Sequence, residues 1–136
     1  MKYLLDTNVV SEGRRRQPDR QAMRWLDGID RDALHVSVLT LGEIAGGVAR
    51  EMRRDPVVGA SLETWFGGIR AQFAKRTLPV DLEIARIWGR LNAARPLPPV
   101  DALLAATAIA RGMVLVTRNA RDIADTGVAY LDPWAG

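Results

Sequence analysis

Short apolar runs that stop abruptly at polar residues set the frame of this chain. Tyr3-Leu4-Leu5 stops at Asp6-Thr7-Asn8, Leu34-His35-Val36-Ser37-Val38 reads as a second strand, and Met113-Val114-Leu115-Val116 stops at Thr117-Arg118-Asn119. The last is a continuous apolar run, the pattern of a strand buried on both faces of a parallel sheet. Between the strands the apolar positions recur at intervals of three and four, the period of a helix with one face on a core.

Read in order, Val9, Val10 and Ser11 open a short helix, and Glu12 to Pro18 forms an exposed loop. A helix from Asp19 to about Gly28 places Ala22, Trp25, Leu26 and Ile29 at core spacing. Thr40 to Arg54 predicts a long helix with Leu41, Ile44, Ala45, Val48 and Met52 on one stripe. Ser61 to Arg76, with Leu62, Trp65, Phe66, Ile69 and Phe73, predicts the antiparallel helix that packs against it. Leu78-Pro79-Val80 is a short extended piece, and Asp81 caps a helix running through Ile84, Ala85, Ile87, Trp88 and Leu91. Val100 to Ala110 is a nearly all-apolar helix closed by Arg111-Gly112. A short helix around Arg121 to Asp125 and a last strand, Val128 to Leu131, finish the chain, with no internal repeat or low-complexity tract.

Strands that alternate with helices predict a three-layer α/β/α sandwich with a mainly parallel central sheet. The sharpest break, Arg95-Pro96-Leu97-Pro98-Pro99, is too short to separate domains, so residues 1–136 read as one domain. A chain of that length buries about two-thirds of the surface its unfolded form exposes.

Composition narrows the chemistry. With no cysteine, disulfides, thiolate metal sites and cysteine nucleophiles are excluded, and a reducing cytoplasm is compatible. The longest uncharged helical run, Ala102 to Ala110, is far short of the ~20 residues that span a bilayer, so no membrane association is expected. Asp6 interrupts the first apolar run too early for an export signal, which needs roughly 7 to 15 apolar residues. The net charge is +3, and 17 of the 19 cationic side chains are arginine, whose planar fork suits phosphate. A biased gene composition accounts equally for the arginines. His35 is the only histidine and lies within a strand, so any mechanism that needs two histidines is ruled out.

Acids carry the remaining candidate chemistry. Asp6 and Asn119 end strands, Glu43 lies near the start of a long helix, and Asp101 sits in the first turn of the apolar helix. Alone, each has an ordinary explanation: Glu43 lies opposite the apolar stripe, Asp101 favours a helix dipole, and Asp6 satisfies turn amides. Together they change the picture, because a helix as apolar as 100–110 must start against the sheet, beside Asp6. Converging carboxylates raise one another's pKa unless a cation neutralises them. Hard oxygen donors without histidine or cysteine select Mg²⁺, with Mn²⁺ an alternative, and such a site suits phosphodiester hydrolysis by an activated water.

With these residues in view, the chain resembles the PIN-domain ribonucleases, specifically VapC-type toxins of bacterial toxin-antitoxin pairs and most nearly their FitB-like members. The resemblance rests on Leu4-Leu5-Asp6-Thr7-Asn8-Val9-Val10-Ser11-Glu12, Ser37-Val38-Leu39-Thr40-Leu41-Gly42-Glu43-Ile44, Val100 to Ala108, Val116-Thr117-Arg118-Asn119 and Asp132-Pro133-Trp134, in that order and spacing. It implies that Asp6, Glu43 and Asp101 form a metal-holding acidic cluster with Mg²⁺ and that RNA is cut. Thr7, Asn8 and Thr117 would orient water or ligand. It also implies a homodimer restrained by a cognate, VapB-like antitoxin in a larger hetero-oligomer.

Many relatives carry a fourth acid where this chain has Asn119; Asp122, one turn on, is the expected replacement, with Asn119 left to orient ligand or water. Arg14, Arg15, Arg16 and Arg118 are expected to contact the RNA backbone, and exposed apolar side chains between Thr40 and Arg76 to meet a partner. Haloacid-dehalogenase-like phosphotransferases and response-regulator receivers need a suitably placed lysine that is missing here, and no Gly-x-x-x-x-Gly-Lys run exists. The rival of another class is a PIN-like binding module that joins an antitoxin or RNA without cutting.

Overall fold

Leu4 and Leu5 point to opposite faces of the first strand and both are buried, which puts that strand in the middle of the sheet. The computed structural model describes residues 1–135. Five parallel strands, β1 (Tyr3–Leu5), β2 (Leu34–Ser37), β3 (Thr77–Leu78), β4 (Val114–Val116) and β5 (Tyr130–Leu131), run in the order β3-β2-β1-β4-β5. Tyr3 pairs with Leu34 on one side and Val114 on the other, and Leu5 pairs with Val116, so β1 and β4 end level.

The helices divide between the two faces. Leu5, Leu34, Val36 and Val116 pack with Val9 and Val10 of α1 (Thr7–Ser11), Ile44 and Val48 of α3 (Val38–Arg54), and Phe66 of α4 (Pro56–Gln72). Trp25 and Leu26 of α2 (Arg20–Asp27) close that side. On the other face Leu4 and Leu115 pack with Leu104, Ala105 and Ala108 of α6 (Pro99–Arg111) and Ile123 of α7 (Ala120–Ile123). Ile84 and Ile87 of α5 (Leu82–Ala94) pack behind α6 on Ala106. Each fully buried Leu, Ile or Val stabilises the fold by roughly 1.5–3 kcal/mol. The layered α/β architecture is as the sequence pattern predicts.

Boundaries depart from the pattern where polar caps override it. Ser37 does not continue a strand into Val38; its hydroxyl accepts the Leu39 N–H at 3.0 Å, so α3 begins two residues before Thr40. Likewise α4 begins at Pro56 and not Ser61, because Asp55 accepts the N–H groups of Val57 and Val58 and proline suits the first helical position. It ends at Gln72, short of Arg76, whose guanidinium donates back to the carbonyls of Arg31, Leu34 and Gln72. The last strand is shorter than expected, only Tyr130 and Leu131 pairing with β4.

The segment from Glu12 to Pro18 is also not a simple exposed loop. Glu12 to Arg14 form a 3₁₀ turn, and Glu12 is buried, accepting the Asp19 N–H at 2.8 Å and lying 3.6 Å from Arg15. A carboxylate folded onto a backbone amide is hidden from a reading of polarity alone.

The α3–α4 hairpin closes where Gly59 meets Met52. A Cβ on Gly59 would lie 2.7 Å from the Met52 backbone and 2.6 Å from its sulfur. Backbone cannot yield as a flexible side chain does, so Gly59→Ala is expected to destabilise the protein by about 1–3 kcal/mol in thermal unfolding. Gly68→Ala, with open space around it inside the same helix, is expected to raise the midpoint slightly, by the roughly 0.5–1 kcal/mol that Ala gains over Gly in a helix.

Candidate active site

β1 and β4 deliver Asp6 and Thr117 side by side to the C-terminal edge of the sheet, where ligands gather in parallel α/β folds. Asp6 is buried, and both of its oxygens are oriented. Oδ1 accepts the Thr7 N–H at 2.6 Å and Oδ2 accepts the buried Thr117 hydroxyl at 2.7 Å. Thr117 Oγ1 in turn accepts the Asn119 N–H at 3.0 Å, which bends the chain over the pocket. Burial raises the Asp6 pKa above the usual aspartate value; the bonds from Thr117 and Thr7 pull it back, and the Glu43 charge adds to the rise.

Glu43 enters from the second turn of α3. Its side chain is exposed, as its place opposite the apolar stripe requires, but Oε1 accepts the Thr7 hydroxyl at 2.5 Å. Thr7 therefore bonds Asp6 through its backbone and Glu43 through its side chain. Asp101 arrives from the third residue of α6, half-buried, and its pKa is pushed up to about 6. Burial is the main cause, followed by the charges of Asp6, Asp122 and Glu43, while a hydrogen bond with Asn119 acts the other way. Four carboxylates from four separate elements thus share one field.

The expected site residues sort clearly. Asp6, Glu43, Asp101, Thr7, Thr117 and Asn119 come together through these contacts, and exposed Asp122 acts on Asp101 by charge. Asn8 is exposed in the first turn of α1 and makes no side-chain hydrogen bond among the described residues. Arg14 donates to Ser61 at 2.8 Å and Arg15 pairs with Glu12, whereas Arg16 is exposed. Arg118 lies over the ring of Trp134, 5.1 Å from its centroid. Trp134 was not among the expected site residues; its only signal was an aromatic closing the Asp132-Pro133-Trp134 motif. His35 is buried at the other end of β2, its Nδ1 3.2 Å from the Ala33 carbonyl oxygen, and burial lowers its pKa.

Among the described residues no group of three or more acidic or histidine side chains is placed to hold a metal ion together. The donor set is nevertheless all oxygen, and none of the four carboxylates pairs with a cationic side chain among those residues. That suits a small hard cation, which keeps several waters and takes one or two carboxylates directly.

A PIN domain family model matches residues 3–128. The chain belongs to the PIN-domain family. This PIN domain is 31% identical to the VapC ribonuclease Y4jK of Sinorhizobium fredii, with 96% of each chain covered. It is also 31% identical to Toxin FitB of Neisseria gonorrhoeae, covering 96% of this chain and 97% of that one. The crystal structure of FitAcB from Neisseria gonorrhoeae superposes with a TM-score of 0.84 over 97% of this chain and 98% of the other, at 31% identity. DNA-bound VapBC from Salmonella typhimurium, 23% identical, shares the fold with a TM-score of 0.78 over 98% of each chain.

The raised Asp101 value has a consequence for stability. Folding takes up a proton between the ordinary value of 3.8 and about 6, so stability falls as pH rises through that window and the loss is constant above it. In EDTA near neutral pH, Asp101→Asn is therefore expected to be more stable than wild type by about 1 kcal/mol after solvent screening, or roughly 4 °C in melting temperature. The advantage should shrink as the pH is lowered to about 4. Equal melting curves at neutral pH would show that burial and the neighbouring acids do not together disfavour the ionised Asp101.

Proposed function

We propose that this PIN domain is the toxin of a type II toxin-antitoxin pair, an endoribonuclease that hydrolyses RNA phosphodiester bonds with Mg²⁺, or Mn²⁺, at Asp6, Glu43 and Asp101. One observation carries the reading: four carboxylates reach one sheet edge with no cationic side chain paired to any of them. Such a pocket stores repulsion that a divalent cation relieves. The similarity to a VapC ribonuclease and to Toxin FitB supports RNA as substrate and a toxin's role.

Asp6 and Asp101 would hold the ion, with Glu43 reaching it directly or through water. When bound, the ion supplies a water of lowered pKa and offsets charge on the phosphorus oxygens. The protein's own part is orientation. Thr117 and the Thr7 amide set the plane of the Asp6 carboxylate, the Thr7 hydroxyl steers Glu43, and Asn119 restrains Asp101. Asp122 adds negative charge at the rim and replaces the fourth acid. In the reaction a water oxygen bonds to phosphorus, a backbone P–O bond breaks on the opposite side, and the departing oxygen takes a proton.

A toxin of this kind works in the cytoplasm and needs a neutralising protein. Exposed Met52, Val57 and Val58 on the α3–α4 hairpin offer apolar area for a VapB-like antitoxin or for a second copy in a homodimer. No described helix is long and apolar enough to cross a membrane.

The test is cleavage of single-stranded RNA in Mg²⁺ and in EDTA. Activity should vanish in EDTA and in Asp6→Ala and Asp101→Ala. Thr117→Val, which removes only the orienting hydroxyl, should cost about 10–100-fold in activity or metal affinity. Wild-type rates in either aspartate variant would end this mechanism.

A further inference from the structure

We propose that Trp134 is a positioning residue, its indole holding the guanidinium of Arg118, the residue after the Asp6 partner Thr117, as a fixed contact for one RNA backbone phosphate. The inference rests on the RNA-cleaving reading and adds to it a residue that the acid cluster does not touch.

The placement follows from the chain. Arg118 lies between Thr117, whose hydroxyl donates to Asp6, and Asn119, whose backbone N–H donates to Thr117 Oγ1, so its backbone is tied beside Asp6. A pocket of four acids repels the phosphates it must admit, and a cation at its edge offsets that repulsion without filling the site. A long exposed arginine alone is too mobile to do so reliably. Trp134 lies within the roughly 6 Å over which a ring face attracts a guanidinium.

The platform is held at its backbone and its ring. The Trp134 backbone N–H donates to Asp132 Oδ1 at 2.9 Å, Pro133 is buried, and the ring packs against the core that contains Leu5, Val9 and Val116, its own Nε1–H buried without a partner among the described residues. Two other arginines stack on aromatic rings, but their N–H groups are already engaged. Arg70, over Phe66, pairs with Glu63, and Arg76, over Phe73, donates to three carbonyls. Among the described residues Arg118 makes neither an ion pair nor a side-chain hydrogen bond. It combines a fixed plane with unspent donors, the arrangement that recognises a phosphate edge-on.

The experiment measures binding of a short single-stranded RNA to the full-length protein in EDTA across a KCl series. Arg118→Ala should weaken binding several-fold at low salt and reduce the salt slope by about 0.7, the value for one phosphate of a single strand. Trp134→Leu should weaken binding in the same direction, and Trp134→Phe, which keeps a ring face, should lie nearer wild type. The double variant Arg118→Ala/Trp134→Leu should bind no worse than Arg118→Ala alone, which a purely structural tryptophan would not produce. Additive losses would overturn the proposal, as would a wild-type slope in Trp134→Leu.

An independent readout needs no variant to fold well. In the wild-type protein the Arg118 δ protons should be shifted upfield by the indole ring current, and unshifted signals would sink the proposal. If the wild type neither binds nor cuts RNA, the RNA reading itself fails. If it does both while Trp134→Leu binds as wild type, only this inference fails.

Discussion

The hydrogen bond from the Thr117 hydroxyl to Asp6 Oδ2 is the contact on which the rest of the site depends. It joins residues 111 apart in sequence, and it exists because β1 and β4 are neighbouring parallel strands that end level. A one-residue slip of either strand would turn its own side chain to the opposite face of the sheet, away from the other. The buried Leu4/Leu115 and Leu5/Val116 pairs, facing opposite layers, forbid that shift. The core thus sets the alignment of the Asp6 carboxylate.

Packing and chemistry oppose each other at this edge. Burying Asp6 and half-burying Asp101 disfavours their ionised forms, and bringing Glu43 and Asp122 near adds repulsion. The surrounding structure offsets part of this with hydroxyl and amide donors instead of cationic side chains. A lysine or arginine inside the pocket would stabilise the free protein more and would occupy the place of an ion. Cations are instead held elsewhere, Arg118 over the ring of Trp134 and others in structural pairs such as Arg95–Asp125 and Arg111–Glu83. The pocket is therefore a place where stability is given up for binding.

The layer order and the identity of the acids were legible in the sequence, because apolar runs ending at Asp6 and Thr117 and an apolar helix starting at Asp101 report burial directly. What periodicity could not report were contacts made by polar atoms. Ser37 ends β2 and also caps α3, and Asp55 lies outside both helices that periodicity marks yet caps α4; the worth of each lies in one or two backbone hydrogen bonds. Glu12 looked solvated among arginines and is buried on an amide. Glu43 shows the converse, since its exposure follows from helix periodicity and its role from the Thr7 hydroxyl, 36 residues away. Trp134 was visible only as part of a short motif, because a cation–π contact leaves no spacing pattern along the chain.

An amide at Asn119 follows the same logic. An acid at that position would add a fourth charge next to Asp101, whose pKa is already raised by three neighbours. The amide does the opposite: its hydrogen bond with Asp101 lowers that pKa and so favours the ionised form. Asp122 keeps a negative charge in the neighbourhood from an exposed position on α7, where solvent screens it. An ion bound by Asp6 and Asp101 would thus find an amide where a further carboxylate would raise the Asp101 pKa again, and an ionised Asp101 would cost less to maintain before it binds.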